Sequence, residues 1–340
     1  MLPSAFLFLT PFYGWTRWHL TGLSLVAWLL AALFGPVQAN PAAKTVQNAT
    51  ALEKTLVAFS QDDMTNDWRY QQVMDLKAHL ADRPDIDFIY RDAGGSTAVQ
   101  MQQIKQLVSQ GIDILVVSPR ESRGVSLVVK EAYEAGIKVI LQGRKINYDT
   151  YTTFIAPDNN EIARQAATFF NEQWRQKAAN PMPHGGTLLM LSGVAGNSVT
   201  QARTQAFIEH LDTRYQVVEK RADFIRSKAL IATDQWLRQG KRFDAIYAQS
   251  DSMAIGARLA LKKHGIDPAS VLIVGIDYIQ AAKQALLTDA QDVSFTYPTG
   301  GQEGAEVIKR LIDQKPVPKQ VTIDHQKVTS DNANQVEPIF

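Results

Sequence analysis

The chain contains no cysteine among its 340 residues. This absence excludes disulfide bonds, thiolate metal sites, cysteine catalysis and membrane attachment through a lipid-modified cysteine. An excess of either charge is also missing, because 35 basic and 34 acidic residues leave a formal net charge of +1. A nearly neutral chain is not typical of proteins that bind nucleic acid or an anionic membrane surface.

Catalytic and nucleotide-binding motifs are missing as well. The sequence has no GxGxxG after its first predicted strand, no GxxxxGK[ST] and no GxSxG, which argues against nucleotide-dependent enzymes and α/β-hydrolases. The six histidines are scattered without the spacing of metal ligands. We therefore expect no catalytic residue, no metal site and no cofactor.

Residues 1–39 differ from the rest of the chain in composition, with few charged and many apolar residues. Arg17 is their only charged residue, and an apolar run from Leu20 to Phe34 leads to small residues at Val37 and Ala39. This pattern predicts a secretory signal peptide that is cleaved after Ala39. An uncleaved signal anchor is the alternative, although the apolar run is shorter than the roughly 20 residues that span a bilayer.

Strand and helix patterns alternate about ten times in the remainder. The predicted strands are continuous apolar runs, such as KTLVAFS (54–60) and DILVVSP (113–119). Strands without polar alternation are typical of parallel sheets covered by helices on both faces. One sheet of ten such strands is unusually long. We therefore predict an α/β fold with two Rossmann-like lobes, each a parallel sheet flanked by helices.

The stretch from Phe243 to Tyr278 contains two consecutive strand–helix units. Asp251 follows the first strand at an expected helix N-cap, and Asp277 follows the second strand, VLIVGID. In open α/β sheets, ligands bind at the carboxyl ends of the strands. The stretch therefore predicts a binding site, with a helix cap and a turn aspartate as the structural alternative.

Further polar and aromatic residues stand at or near the ends of predicted strands. They are Asn66, Trp68, Ser118, Arg144, Thr153, Arg203, Phe224, Ser250, Asp251, Asp277, Thr296 and Tyr297. Flat aromatic rings cover the C–H faces of sugars, and charged planar groups make strong, directional hydrogen bonds to hydroxyls. The set is therefore suited to a sugar. Trp68 and Phe224 as core residues and Arg203 on a solvated helix face are the alternatives.

At this point the sequence resembles the periplasmic sugar-binding proteins of ribose/galactose type, which are substrate-binding subunits of ABC importers. The resemblance rests on DILVVSP, AGIKVI, FIAPDNNEIARQAA, SGVAGNSVTQARTQAF, FDAIYAQSDSMAIGARLAL and VLIVGIDY, in order along the chain. It implies the type I periplasmic binding protein fold, with two lobes joined by crossover hinge strands. The lobes are expected at residues 54–153 with 297–326 and at 154–296 with 327–340.

The resemblance also implies a set of ligand-binding residues. By position these are Asn66, Trp68, Arg69, Ser118, Gly143, Arg144, Thr153, Arg203, Phe224, Ser250, Asp277 and Thr296. This chain departs from the family pattern by having Arg69 in place of a stacking aromatic, Gly143 in place of an acid, and short hydroxyl residues in place of amides. The ligand therefore need not be ribose, and an anionic ligand is the alternative that the arginines suggest.

By this resemblance we expect a monomeric periplasmic protein that captures a small sugar-like ligand and presents its closed form to a membrane permease. A sensor that signals to a membrane histidine kinase or chemoreceptor, similar to the autoinducer-2 receptors, is the first alternative. A secreted enzyme on the same fold is the second, and the lack of a catalytic base argues against it.

Overall fold

A computed structural model describes residues 54–176, 182 and 184–340. The predicted signal peptide, residues 1–39, lies outside the described residues. Within the described part of the chain, no helix is both long enough and apolar enough to cross a membrane.

The described residues form strands and helices that alternate along most of the chain. The strands are β1 (Thr55–Gln61), β2 (Ile86–Asp92), β3 (Ile114–Val117), β4 (Lys138–Gln142), β5 (Thr153–Pro157), β6 (Thr187–Ser192), β7 (Gln216–Arg221), β8 (Ala245–Ala248), β9 (Leu272–Val274), β10 (Ser294–Phe295), β11 (Gln320–Ile323) and β12 (Lys327–Val328). The helices are α1 (Asp67–His79), α2 (Thr97–Ser109), α3 (Ser122–Glu134), α4 (Asn159–Gln176), α5 (Ser198–His210), α6 (Arg226–Arg238), α7 (Asp251–Lys263), α8 (Gln280–Leu287) and α9 (Gly301–Ile312).

The first sheet has the strand order β11-β5-β4-β3-β1-β2, and all of its neighbouring strands run parallel. Successive side chains of a strand point to opposite faces. Ala58 accordingly packs in a core with helices α2 and α3. Val57 and Phe59 pack in a second core with helices α1 and α9. Helices therefore cover both faces of the sheet, which explains why its strands are apolar without alternation.

The second sheet has the order β7-β6-β8-β9 and is also parallel throughout. Its register sets Leu189 of β6 opposite Val218 of β7 and Ile246 of β8. Met190 packs with helices α4 and α5 on one face, and its neighbour Leu189 packs with α6 and α7 on the other. The predicted fold class, parallel sheets flanked by helices, is confirmed.

The chain leaves the first sheet after β5, returns to it from β10 through α9 to β11, and leaves it again to reach β12. Strands β10 and β12 form a separate two-stranded antiparallel sheet, and isolated bridges join Val274 to Val293 and Asp277 to Thr296. The lobe boundaries stay a prediction. One of them falls at residues 153 and 154, inside β5, whose residues pair with β4 and β11 of the first sheet.

The cap of helix α7 differs from the sequence-based expectation. Ser250 occupies the N-cap, where its side chain accepts a hydrogen bond from the backbone N–H of Met253. Asp251, which we expected at this position, is the first residue of the helix and is fully buried. Its carboxylate accepts a hydrogen bond from the Tyr278 N–H, in the loop that follows β9.

Candidate functional site

A cavity lies where the strands of both sheets end. Its lining residues are Asn66, Trp68, Arg69, Ser118, Gly143, Arg144, Val199, Arg203, Phe224, Ser250, Asp277 and Tyr297. The space between their atoms amounts to about 400 Å³, which includes space open to solvent. Because parallel strands deliver their following loops to one edge, residues far apart in sequence meet here.

All residues that the resemblance assigned to ligand binding line the cavity except Thr153 and Thr296, and Asp251 of the strand-end set does not line it either. Thr153 is fully buried, and its hydroxyl donates to the carbonyl of Pro318 at 2.9 Å. It lies at the amino end of β5, whereas the cavity forms at the carboxyl ends of the strands. The hydroxyl of Thr296 accepts from the backbone N–H of Gln326 at 2.8 Å. The structure therefore places both threonines outside the cavity.

Tyr297 occupies the place that the resemblance assigned to Thr296. Neighbouring side chains in an extended segment point in opposite directions, so only one of the two faces the cavity. The Tyr297 ring lies 5.4 Å from the ring of Trp68, measured between centroids, and the Arg203 guanidinium carbon lies 4.5 Å from its centroid. The sequence analysis included Tyr297 in its strand-end set, but the resemblance assigned Thr296 and not Tyr297 to the pocket.

Val199 is the lining residue that the sequence analysis did not name as a candidate. It lies one helical turn before Arg203 in α5. Residues four apart share a helix face, so Val199 follows from the position of Arg203. Its side chain makes the cavity wall apolar at this position.

Arg203 is held in place by two acceptors of the protein. Its Nε donates to Oδ1 of Asn159 at 2.8 Å, and its Nη1 donates to the carbonyl of Gln249. Asn159 also donates to the hydroxyl of Tyr297 at 3.1 Å. Arg203 is only 2% exposed, and its Nη2 makes no hydrogen bond to any described residue. The guanidinium therefore presents a fixed, unused donor to the cavity.

Asp277 offers an acceptor on the same side of the cavity. Its backbone has a φ of +121°, in the region that residues other than glycine rarely adopt. The strand-like bond from its N–H to the carbonyl of Phe295, 2.9 Å long, holds this conformation. Burial raises the pKa of the carboxyl well above its ordinary value, and the charge of Arg203 opposes that shift. A hydrogen bond from the backbone of Asp251 also opposes the shift.

Asp251 supports the turn that carries Asp277. Its carboxylate accepts from the Tyr278 N–H at 2.7 Å, the Ser294 hydroxyl at 2.6 Å and the Gln291 amide at 2.8 Å. A side chain at Gly275 would place its Cβ 1.9 Å from the Asp251 carboxylate, so glycine is required there. Asp251 is therefore a structural residue that supports the turn, although not as the helix cap that the alternative interpretation expected.

Phe224 lies between two arginines on the opposite wall. The guanidinium carbons of Arg69 and Arg144 are 5.6 and 5.9 Å from its ring centroid. Such distances allow cation–π attraction. Burial lowers the pKa of Arg69 to about 10, which leaves the guanidinium charged at neutral pH. Phe224 itself has a φ of +63°, so a strained turn after β7 aims its ring into the cavity.

Asp62 is the charged residue of this region that the sequence analysis missed. It is fully buried directly after β1, and its Oδ1 lies 2.7 Å from Nη1 of Arg144 and 3.4 Å from Nε of Arg69. Arg120 approaches its Oδ2 at 3.6 Å. A signal was available, since an acid that follows a buried strand stands at the edge where ligands bind.

Hydrogen bonds close the cleft by joining residues that follow strands of the first sheet to residues of the second. They run from Asn66 Nδ2 to the Phe224 carbonyl (2.9 Å), from Ser122 N to the Gly196 carbonyl (3.0 Å), from Lys145 N to Ser198 Oγ (2.8 Å) and from Asn197 Nδ2 to the Arg120 carbonyl (2.9 Å). An ion pair joins Arg226 to Asp67 at 2.9 Å. The two walls of the cavity are therefore in direct contact at these positions.

Two parallel sheets whose strands end at one shared cavity define the class of two-lobe α/β binding proteins. The sequence model of the periplasmic binding protein domain family matches residues 57–316. The chain belongs to this family, which confirms the resemblance found in the sequence.

Several characterised proteins are similar to this chain. It is 31% identical to the ribose import binding protein of Bacillus subtilis over 187 residues, which cover 55% of this chain and 58% of that protein. It is 27% identical to the galactofuranose-binding protein of Escherichia coli, covering 70% of this chain and 76% of that one. Among solved structures, a fructose-binding periplasmic domain of a hybrid two-component system aligns with a TM-score of 0.74 and 28% identity, covering 82% of this chain and 91% of that one.

Proposed function

We propose that this chain is a periplasmic solute-binding protein that captures a small sugar or sugar-like ligand in the cleft between its two sheets and delivers it to an ABC importer. One observation carries the proposal. The cavity holds a charged donor, Nη2 of Arg203, that makes no hydrogen bond to a described residue, and the buried carboxyl of Asp277 lies within its electrostatic reach. A buried polar group without a partner is costly, so this donor beside a buried carboxyl indicates a polar ligand.

The remaining walls suit the apolar parts of a sugar. Trp68, Phe224 and Tyr297 present aromatic rings, and sugars carry flat patches of C–H groups beside their hydroxyls. The Trp68 ring is held by a hydrogen bond from Nε1 to the Tyr297 carbonyl at 2.8 Å. A fixed ring loses little entropy when a ligand stacks on it. The names of the similar proteins, which specify ribose, galactofuranose and fructose, support a pentose or hexose.

Closure is the event that this proposal assigns to ligand capture. The proposed lobes, residues 54–153 with 297–326 and residues 154–296 with 327–340, swing together as a hinge. The hydrogen bonds across the cleft form only when both lobes meet, and the membrane permease recognises that closed form. The protein acts as a monomer, because one chain supplies both walls of the cavity.

The family consists of binding proteins. We propose that this chain likewise binds its ligand without converting it chemically. Residues 1–39 act as a secretory signal peptide that delivers the protein to the periplasm. Recovery of the bound sugar unchanged after prolonged incubation, measured by mass spectrometry, supports a binding role. Conversion of the sugar favours the enzyme alternative.

A second candidate function is a periplasmic sensor. It is favoured by the similarity to a periplasmic domain of a hybrid two-component system. Both functions use the same closure, so the cavity alone does not separate them. Stimulation of a reconstituted permease by the liganded protein supports the transport function, and stimulation of a membrane histidine kinase supports the sensor.

Thermal unfolding of residues 40–340 against pentoses, hexoses, polyols, sugar acids and autoinducer-2 tests the proposed ligand class. A ligand at 100 times its dissociation constant stabilises the folded state by about 2.7 kcal/mol, which raises the melting temperature by several degrees. A rise with one neutral sugar, abolished in Asp277→Asn, supports the proposal. A response to sugar acids alone contradicts a neutral ligand, and silence across the panel contradicts sugar capture.

A further inference from the structure

Asp62 lies behind the cavity without lining it. Its side chain is fully buried, and neither carboxylate oxygen makes a hydrogen bond of good direction to a described residue. Its contacts are instead ion pairs, with Arg144 at 2.7 Å, Arg69 at 3.4 Å and Arg120 at 3.6 Å. The geometry therefore gives Asp62 an electrostatic role toward three arginines.

The cavity wall on its own is strongly cationic. Three arginines line it against the single acid Asp277. Charges in a buried site act over several ångströms with little screening. A wall of this composition favours an anion unless a further negative charge stands nearby, and Asp62 supplies that charge where two of the lining arginines meet.

The neighbouring acid acts on the outer side of the same cluster. Asp63 lies 3.6 Å from Nη1 of Arg69, and its side chain is 12% exposed. Its carboxylate also accepts from the hydroxyl of Thr65 at 2.6 Å. Asp63 therefore serves as a control for Asp62. It is the neighbouring acid, but its carboxylate is partly exposed to solvent and hydrogen-bonded within a local turn.

We infer that Asp62 determines the charge specificity of the cavity, so that it accepts uncharged sugars and discriminates against sugars that carry a carboxylate. The inference rests on the proposed function and names its substrate class. Specificity is a difference of two affinities, and one buried negative charge near the ligand changes that difference without touching the ligand. Asp62 repels a carboxylate and leaves the arginine donors free for hydroxyl and ring oxygens.

Arg69 supplies the donors that a neutral ligand uses. Its Nη1 and Nη2 are buried and have no hydrogen-bond partner among the described residues. The closest contact of Asp62 is with its Nε, and Asp63 lies 3.6 Å from Nη1. Asp62 therefore offsets the charge of Arg69 without taking up the hydrogen bonds of Nη1 and Nη2.

The test compares matched pairs of probes by isothermal titration calorimetry: D-ribose with D-ribonate, and D-galactose with D-galacturonate. The quantity of interest is the ratio of acid to neutral affinity in the wild type, Asp62→Asn and Asp63→Asn. We expect this ratio to rise at least roughly tenfold in Asp62→Asn, as the loss of one nearby buried charge implies. A clearly smaller rise is expected in Asp63→Asn.

Arg120→Gln provides a test in the opposite direction that does not depend on the folding of Asp62→Asn. Arg120 contacts Asp62 but does not line the cavity. Its loss makes the cluster more negative, so the ratio of acid to neutral affinity falls. An unchanged ratio in both Asp62→Asn and Arg120→Gln overturns the inference, as does a wild type that binds the acid of either pair more tightly than the neutral sugar.

Sulfate binding tests the role of Asp62 independently of whether the protein binds a sugar. If the wild type binds none of the sugars, the proposed function fails, and the melting temperature in sodium sulfate still reports the charge of the cavity. Stronger stabilisation of Asp62→Asn than of the wild type and Asp63→Asn supports the role of Asp62. Equal stabilisation of all three overturns it.

Discussion

The side-chain amide of Asn66 donates to the backbone carbonyl of Phe224 at 2.9 Å, although 158 positions separate the two residues in the sequence. The same side chain caps helix α1, where its Oδ1 accepts from the Arg69 N–H at 3.1 Å. Asn66 thus caps helix α1, which packs on the first sheet, and also bonds to the turn after β7 of the second sheet. That turn carries the Phe224 ring. Closure of the cleft and formation of the cavity are therefore linked at this point.

Asn66→Asp separates the two roles. An aspartate keeps the N-cap acceptor but replaces the amide donor with a carboxylate that faces a carbonyl. We expect sugar affinity to fall roughly tenfold or more, since a lost buried hydrogen bond costs about 1–3 kcal/mol. The melting temperature without ligand should change little. Calorimetry and thermal unfolding measure both quantities.

Ser96→Asp is the matched control, because Ser96 caps helix α2 through its hydroxyl and makes no bond across the cleft. It should leave sugar affinity unchanged. Equal affinity in Asn66→Asp and the wild type contradicts a role of this bond in closure.

Arg203→Ala should weaken sugar binding far more than Ser250→Ala. Arg203 offers a charged donor to the cavity, and hydrogen bonds to charged groups contribute about 1.5–3 kcal/mol. The Ser250 hydroxyl already accepts from Met253 in capping α7, so its removal chiefly costs about 1 kcal/mol of helix stability. Calorimetry with the same sugar compares the two variants. Small and equal losses show that Arg203 does not bind the ligand.

Asp277→Asn should weaken binding without destabilising the empty protein. Burial raises the folded-state pKa of Asp277 above the ordinary value of 3.8, so the folded state binds more protons than the unfolded state above that pH. The free energy of unfolding therefore falls as pH rises from the ordinary pKa through the raised one. The asparagine variant lacks this fall and should equal or exceed the wild type in stability at neutral pH.

Melting temperatures of both proteins without ligand, recorded between about pH 4 and pH 8, test the sign of this effect. The difference between variant and wild type should grow in favour of the variant as pH increases. A variant that is markedly less stable than the wild type at neutral pH identifies the carboxylate of Asp277 as a structural group instead.

Asp251→Ala should destabilise the protein strongly. It leaves the Tyr278 N–H, the Ser294 hydroxyl and the Gln291 amide without their shared acceptor, and each unsatisfied buried donor costs about 1–3 kcal/mol. We expect a loss of at least about 3 kcal/mol in urea unfolding. Asp267→Ala, which removes the cap of a short exposed turn, is the control. Comparable stability of the two variants rules out the supporting role of Asp251.

Most of the fold and much of the cavity could be predicted from the sequence. Continuous apolar runs identify strands covered on both faces, and the residue after such a strand necessarily lies at the ligand-binding edge. Ser118, Arg144 and Asp277 were located by this logic. The apolar runs and the order of strands and loops were sufficient to locate these three residues, because each of them follows a parallel strand.

Prediction failed where one residue of register decides the direction of a side chain. Thr296 and Tyr297 are adjacent, and the alternation of an extended segment sends only Tyr297 into the cavity. Thr153 was misplaced because it begins a strand rather than ending one. Neither distinction is visible in composition or motif spacing.

Asp62 shows a different kind of limit. Its importance lies in contacts with Arg69, Arg120 and Arg144, which come from three different segments of the chain. Ion pairs of this kind depend on the tertiary packing of loops. The sequence displays the acid and the arginines but not their proximity in the fold, so it left an anionic ligand open as the alternative to a sugar, and the proposed role of Asp62 argues against that alternative.

The most direct test of the account is calorimetric titration of the wild type and Arg203→Ala with the neutral sugar that stabilises residues 40–340 most. The account predicts one saturable site per chain in the wild type and a loss of affinity of at least roughly tenfold in the variant. Binding that is unchanged in Arg203→Ala, or a wild type that binds no neutral sugar, contradicts the assignment of this cavity as a sugar site.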